Sequence, residues 1–271
     1  MRNRALILIV NLLFALAACA TPAPPSPQAV NPVPVAAVTA PATALPAPPF
    51  SSGGYLTAVS LNLYRLLPPP PEAGSAQERA ELDELLHLQA TRTPAEVRRA
   101  QEDATVSIFR FADALGNPPG FNPRDLPLTA ELFQRIGRDE GLFMNPAKDD
   151  FGRPRPFVTE KRLAPVVPLP PSASYPSGHT TWAIAVAIVL SDMVPERRSQ
   201  IFTRADEYAR NREVGGVHYP SDVAAGHLAG TALAQQLFNS ARFVEDEVAA
   251  ADELRRALGL QPLPRHQLYR H

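Results

Sequence analysis

"SYPSGHTTWAIAVAIVLSDMV", residues 174–194, decides the fold. From Thr180 to Val194 it is apolar on nearly all sides, with only Ser191 and Asp192 breaking the run. A helix that is apolar all round belongs in the centre of a protein. At about 14 residues it is too short to cross a bilayer, so it is read as a buried central helix. Its start is also marked. Ser177 can cap it, and Gly178 lets the backbone come close to a ligand. The free N–H groups of its first turn form a natural anion site, and His179 points from that turn toward the same space. Taken alone, Ser-Gly before a helix is most often only a cap.

A buried central helix needs other helices around it, and the flanking sequence supplies them. GSAQERAELDELLHLQA places Leu82, Leu85, Leu86 and Gln89 at helical spacing. TPAEVRRAQEDATVSIFRFADALG begins with Thr93, Pro94 and Glu96, an N-cap, an N1 proline and a capping-box acid. Its apolar face runs Val97, Ala100, Ala104, Ile108, Phe111 and Leu115, and Gly116 ends it. LTAELFQRIGRDEGLF predicts a helix after Pro127. PERRSQIFTRADEYARNR and SDVAAGHLAGTALAQQLFNS predict two more, and a charged helix follows from about 241 to 258. No run alternates with period two for long, and no repeat is visible. The fold class is all-α: a compact helical bundle with the active site formed by loops and helix N-termini.

The first 50 residues are of another kind. Arg2 and Arg4 precede an apolar run from Ala5 to Ala18, interrupted only by Asn11. That is the pattern of a signal peptide over residues 1–18. Leu16-Ala17-Ala18-Cys19 resembles the lipobox of bacterial lipoproteins, which implies cleavage before Cys19 and a lipid on that residue. The alternative is an ordinary signal peptide with an incidental cysteine. Cys19 is the chain's one cysteine, which excludes an intrachain disulfide. Residues 20–50 hold ten of the 31 prolines and no charged residue. Such a stretch cannot bury a core, so residues 19–52 are read as a lipidated Pro/Ala-rich tether and 53–271 as the helical domain. The expected location is the periplasm, on a lipid anchor in the outer membrane of a Gram-negative bacterium. The net charge of −1 gives no reason to expect a nucleic-acid partner, so any anion site is local.

Two further clusters carry chemistry. KDDFGRPRPF, residues 148–157, concentrates Lys148, Arg153 and Arg155 among prolines, in a segment read as unable to form a regular helix. Cations on stiff backbone suit an anion held at a fixed place. NREVGGVHYPSD, residues 211–222, sets Arg212 on the apolar face of Ile201, Ala205 and Tyr208, then turns at Gly215-Gly216. His218 and Asp222 flank Pro220-Ser221. Their spacing lets Asp222 accept from one imidazole nitrogen and leaves the other free as a nucleophile. An isolated His-x-x-x-Asp is most often a structural hydrogen bond.

Together, Lys148 with Arg155-Pro156, then Pro176-Ser177-Gly178-His179, then Arg212, His218 and Asp222 resemble the three-part signature of the type 2 phosphatidic acid phosphatase superfamily. That group includes bacterial class A non-specific acid phosphatases and vanadium haloperoxidases. Upstream, LLPPPPEAGSAQ and ATRTPAEVRRAQED look like the N-terminal half of the class A enzymes, so the resemblance covers roughly residues 55–240. The resemblance implies that Lys148, Arg155 and Arg212 bind phosphate oxygens, with hydrogen bonds from Ser177 and the Gly178 backbone. It implies that His218 becomes phosphohistidine, that Asp222 orients it, and that His179 protonates the leaving oxygen. Asn211 departs from the family's usual serine.

The resulting expectation is a phosphomonoesterase of broad specificity acting on small phosphate monoesters. It is expected to need no cofactor and no metal, to touch a membrane through its lipid anchor alone, and to be a possible homo-oligomer. A vanadium-dependent haloperoxidase, a lipid or diphosphate phosphatase and a non-enzymatic phosphate-binding lipoprotein are the alternatives. Arg153 is expected at the rim or in a salt bridge, and Asp149 and Asp150 either orient the cations or are solvated. His227 is expected to pack against neighbouring helices rather than act in chemistry, and His87, His266 and His271 to lie on the surface.

Overall fold

In the computed structural model, which describes residues 53–264, the chain runs through α1 (Leu63–Leu66), α2 (Ala76–Thr91), α3 (Pro94–Glu102), α4 (Pro127–Phe151), α5 (Pro156–Thr159), α6 (Gly178–Met193), α7 (Arg198–Val214), α8 (Pro220–Phe238) and α9 (Ala241–Ala257). No strand occurs among the described residues, so the all-α expectation holds. The predicted leader, Cys19 and the whole Pro/Ala-rich stretch to residue 52 lie outside the described residues, as do His266 and His271.

α6 is the centre. Ala183, Ala185, Val186, Ala187, Val189 and Leu190 are fully buried on all sides of it, each larger side chain contributing about 1.5–3 kcal/mol of burial. α4, α7, α8 and α9 all pack against it. No helix among the described residues is long and apolar enough to cross a membrane.

The approach of α8 to α6 sets the active-site geometry. A Cβ on Gly226 would stand 2.7 Å from Thr180 Cβ, and one on Gly230 would stand 2.5 Å from the Thr181 carbonyl. Only glycine allows two helices this close. The contacts pair 226 with 180 and 230 with 181 and 184, so the two helices run in the same direction. Their N-termini therefore lie side by side, tied by the Ser177 amide donating to the Asp222 carbonyl at 3.0 Å.

Two predicted boundaries are corrected. The segment around Lys148 is helical after all: α4 continues through Pro146 to Phe151, and Gly152 ends it with φ 59. Proline removes one helical hydrogen bond, but Phe143, Met144 and Ala147 remain buried and hold the turn in place. The stiff extended piece is Arg153 to Arg155, before α5. The helix predicted from Thr93 to Leu115 is likewise two pieces. α3 forms with the expected capping box but stops at Asp103, and a 3₁₀ turn covers Ile108–Phe111. Ala100, Ile108, Phe111 and Leu115 are still buried. The break arises at Asp103, whose carboxylate is fully buried and held by Arg204 at 2.5 Å and Asn211 at 2.7 Å.

Candidate active site

The parallel start of α6 and α8 brings His218, Asp222, Ser177, Gly178 and His179 together. The end of α4 and the extended segment Arg153–Arg155 add Lys148 and Arg155, and the end of α7 adds Arg212. All the predicted site residues between 148 and 222 thus converge.

His218 is the most tightly specified. Its Nδ1 lies 3.1 Å from Asp222 Oδ2, and its Nε2 lies 3.1 Å from an Arg155 Nη. A guanidinium can only donate, so Nε2 carries the lone pair and Nδ1–H points to the carboxylate. Burial pushes the imidazole well below its usual pKa, and Arg155, Lys148, Arg212 and His179 add to that effect. These surroundings favour the neutral imidazole.

Asp222 is held from several directions. Arg153 donates to its Oδ1 at 2.7 Å, while the Tyr219 amide at 3.0 Å and the Ser174 hydroxyl donate to Oδ2. Arg153 in turn donates to Glu81 at 2.9 Å and to Ser221 at 2.7 Å, and its guanidinium stacks on Tyr219, 3.7 Å from the ring centre. Of the two expectations for Arg153, the salt bridge holds and the rim position does not, since it is buried.

The three cradle cations differ. Lys148 donates to the carbonyls of Ala173, Ser174 and Pro176 at 2.7–3.2 Å. Its three donors organise that loop, so its contribution toward an anion is charge. Burial, with Arg155 and Arg212 adding, lowers its pKa to about 7, against Asp222 and Glu140. Arg155 is fixed by the carbonyls of Ser172 and Val217, both at 2.8 Å. Arg212 is buried, and its Nε and one Nη have no hydrogen-bond partner. Burial, with Arg155 adding, lowers its pKa to about 10, against Tyr208 and Asp103. Leaving such donors unsatisfied costs roughly 1–3 kcal/mol each, a cost that an incoming anion relieves.

Ser177 caps α6 as predicted, accepting from the Thr180 amide at 3.4 Å. His179 Nε2 lies 3.1 Å from the Ala104 carbonyl, so that nitrogen carries a proton. Burial lowers its pKa to about 3, with Arg212, Arg155 and Lys148 contributing. Asn211, the departure from serine, donates to Asp103, next to the residue that His179 touches. Asp149, Asp150 and His87 are exposed. His227 is half-exposed on α8, with its Nε2 4.0 Å from Asp206 of the neighbouring α7.

Residues 139–244 match the PAP2 superfamily. The non-specific acid phosphatase of Salmonella typhi is 30% identical over 202 residues, 72% of this chain and 81% of that protein. The chain belongs to the bacterial non-specific acid phosphatases of the PAP2 superfamily. The Providencia stuartii enzyme is 31% identical over 206 residues, with the same coverage. Among solved structures, a bacterial vanadium-dependent iodoperoxidase superposes with a TM-score of 0.51 at 18% identity, covering 65% of this chain and 52% of the peroxidase. That likeness is one of fold. As an acid phosphatase of this superfamily, the chain is a phosphoric monoester hydrolase.

Sequence reasoning missed Glu81, Ser174, Asp103 and Glu140. Glu78 and Glu81 lie on the buried face of α2 beside Leu85, whereas the leucine spacing had drawn attention to Leu82 and Leu86. Acids on an apolar helix face were the available signal.

Proposed function

We propose that this acid phosphatase works without metal, through a phosphohistidine at His218. The observation that carries the reading is Arg212: two buried donors without a partner, beside Arg155, Lys148 and the N-terminus of α6. Guanidinium, ammonium and amide groups hold an anion rather than a divalent cation, and three cations can stabilise the equatorial oxygens as metal ions do elsewhere.

In this reading a monoester dianion takes the free donors of Arg212 and draws Arg155 off His218 Nε2. The released lone pair attacks phosphorus while the bond to the leaving oxygen breaks. Asp222 stabilises the charge that develops on the imidazole. His179 supplies the proton to the leaving oxygen. It is neutral above about pH 3 in the empty site because of burial and the surrounding cations. The bound dianion offsets those cations and raises its pKa, so that Nδ1 takes up a proton from solvent as substrate binds, and that proton goes to the leaving oxygen. Water then attacks phosphorus, the P–N bond breaks, and neutral His179 takes the water proton. The surroundings that favour neutral His218 favour its nucleophilic form.

Arg212→Ala tests the cradle. Removing such a preorganised donor is expected to lower kcat/KM for p-nitrophenyl phosphate by on the order of 10²-fold or more, with EDTA leaving the wild type fully active and inorganic phosphate inhibiting competitively. A variant within threefold of wild type, or EDTA inactivation of folded enzyme, would refute this assignment.

A further inference from the structure

Gly137, Glu140, Met144 and Lys148 follow one another at spacings of three and four residues, so they share one face of α4. With Gly178, His179, Trp182, Asn145 and Val106 they line a pocket of about 340 Å³. The pocket holds His179, the group assigned to the leaving oxygen, and lacks His218. It is the space into which a leaving group would project.

Glu140 is the acid of that pocket, and the phosphatase reading gives it no role. Its Oε1 would stand 2.8 Å from a Cβ placed on Gly178, so the carboxyl is pressed against the first residue of α6. The charged groups facing it are Lys148, on its own helix, and His179, on α6. Arg155 and Arg212 act on both of those groups from farther round the cradle. Among the described residues no hydrogen-bond donor is fixed to Glu140. A carboxylate at the N-terminus of the helix that receives phosphate works against the anion site unless it serves selection.

We propose that Glu140 is a specificity-determining residue, which discriminates against phosphate esters whose leaving group is itself anionic and admits neutral alcohols and phenols. The inference rests on the phosphatase reading. A second anionic group beside the leaving oxygen would lie next to the Glu140 carboxylate, whereas a hydroxyl or an aromatic face meets Trp182, Met144 and a hydrogen-bond acceptor. Burial raises the Glu140 pKa to about 7, with Lys148 pulling it back. The selection is therefore strong above pH 7, where the carboxylate is charged, and fades below it as the group becomes neutral.

The experiment measures kcat/KM for pyrophosphate and for phenyl phosphate on the same preparations of wild type, Glu140→Gln and Glu140→Asp. The ratio of the two cancels any difference in the folded fraction. At pH 8 the glutamine variant is expected to raise the pyrophosphate-to-phenyl-phosphate ratio by on the order of tenfold, the effect of removing one charge at close range. The aspartate variant is expected to stay near wild type, and at pH 5 wild type and glutamine variant should converge. An unchanged ratio at pH 8 would overturn the proposal. So would an equal rise in the aspartate variant, because that would make the effect one of space rather than charge. Failure of the cradle reading looks different: Arg212→Ala would then keep its activity on both substrates.

Discussion

The two histidines of the cradle have unlike surroundings. His218 is fixed at both ring nitrogens, and its partner Asp222 is fixed by Arg153, Ser174 and Tyr219, with Glu81 behind Arg153. His179 has one hydrogen bond, to a backbone carbonyl in the break after α3, stacks on Tyr208 with ring centres 6.3 Å apart, and lines the pocket on its remaining side. The phosphoryl group is the same in every monoester, so the side that handles it can be rigid. The leaving group differs from substrate to substrate. A sparse side with room for one suits varied leaving groups, and in the proposal above Glu140 sets what that side refuses above pH 7.

The comparison can be broken from either side. The larger effect lies with His179 and depends on the leaving group. An alkoxide needs a proton to depart and a nitrophenolate does not, so His179→Ala is expected to lower kcat/KM for an alkyl phosphate by about 10²–10⁴-fold and that for p-nitrophenyl phosphate far less. Equal losses on both substrates, read from the ratio, would assign His179 to phosphate binding or to structure instead. The smaller effect lies behind His218. Glu81 touches Arg153 at 2.9 Å and Ser221 at 2.9 Å, and neither His218 nor Asp222 directly. Glu81→Gln is expected to lower kcat by about tenfold with KM little changed, the magnitude of losing an outer-shell partner. Loss in KM alone would mean that the Arg153 network positions substrate rather than the nucleophile.

Much of this was legible in the sequence because it is local. The uniformly apolar run after Gly178 required a central helix, and motif spacing named the residues from Lys148 to Asp222 that the fold brings together. What stayed hidden depends on long-range pairing. Arg153 stood one position off a recognised motif, and nothing in its neighbourhood points to Glu81, 72 residues earlier. The break after α3 follows from the burial of Asp103 against Arg204 and Asn211, on a helix about 100 residues later. The helical placement of Lys148 was missed for a different reason. Pro154 and Pro156 argued against a helix through this segment, but Gly152 ends α4 before them, and burial of Phe143, Met144 and Ala147 carries the helix past Pro146.

The central claim is that His218 carries the phosphoryl group. Phosphohistidine is destroyed by acid and survives alkali, so the direct measurement is an alkaline quench within the first turnovers of radiolabelled p-nitrophenyl phosphate, with EDTA present. Label that maps to His218 in the wild type, that acid removes, and that is absent from His218→Ala is the predicted result. Label that persists in His218→Ala, or that resists acid, would contradict it.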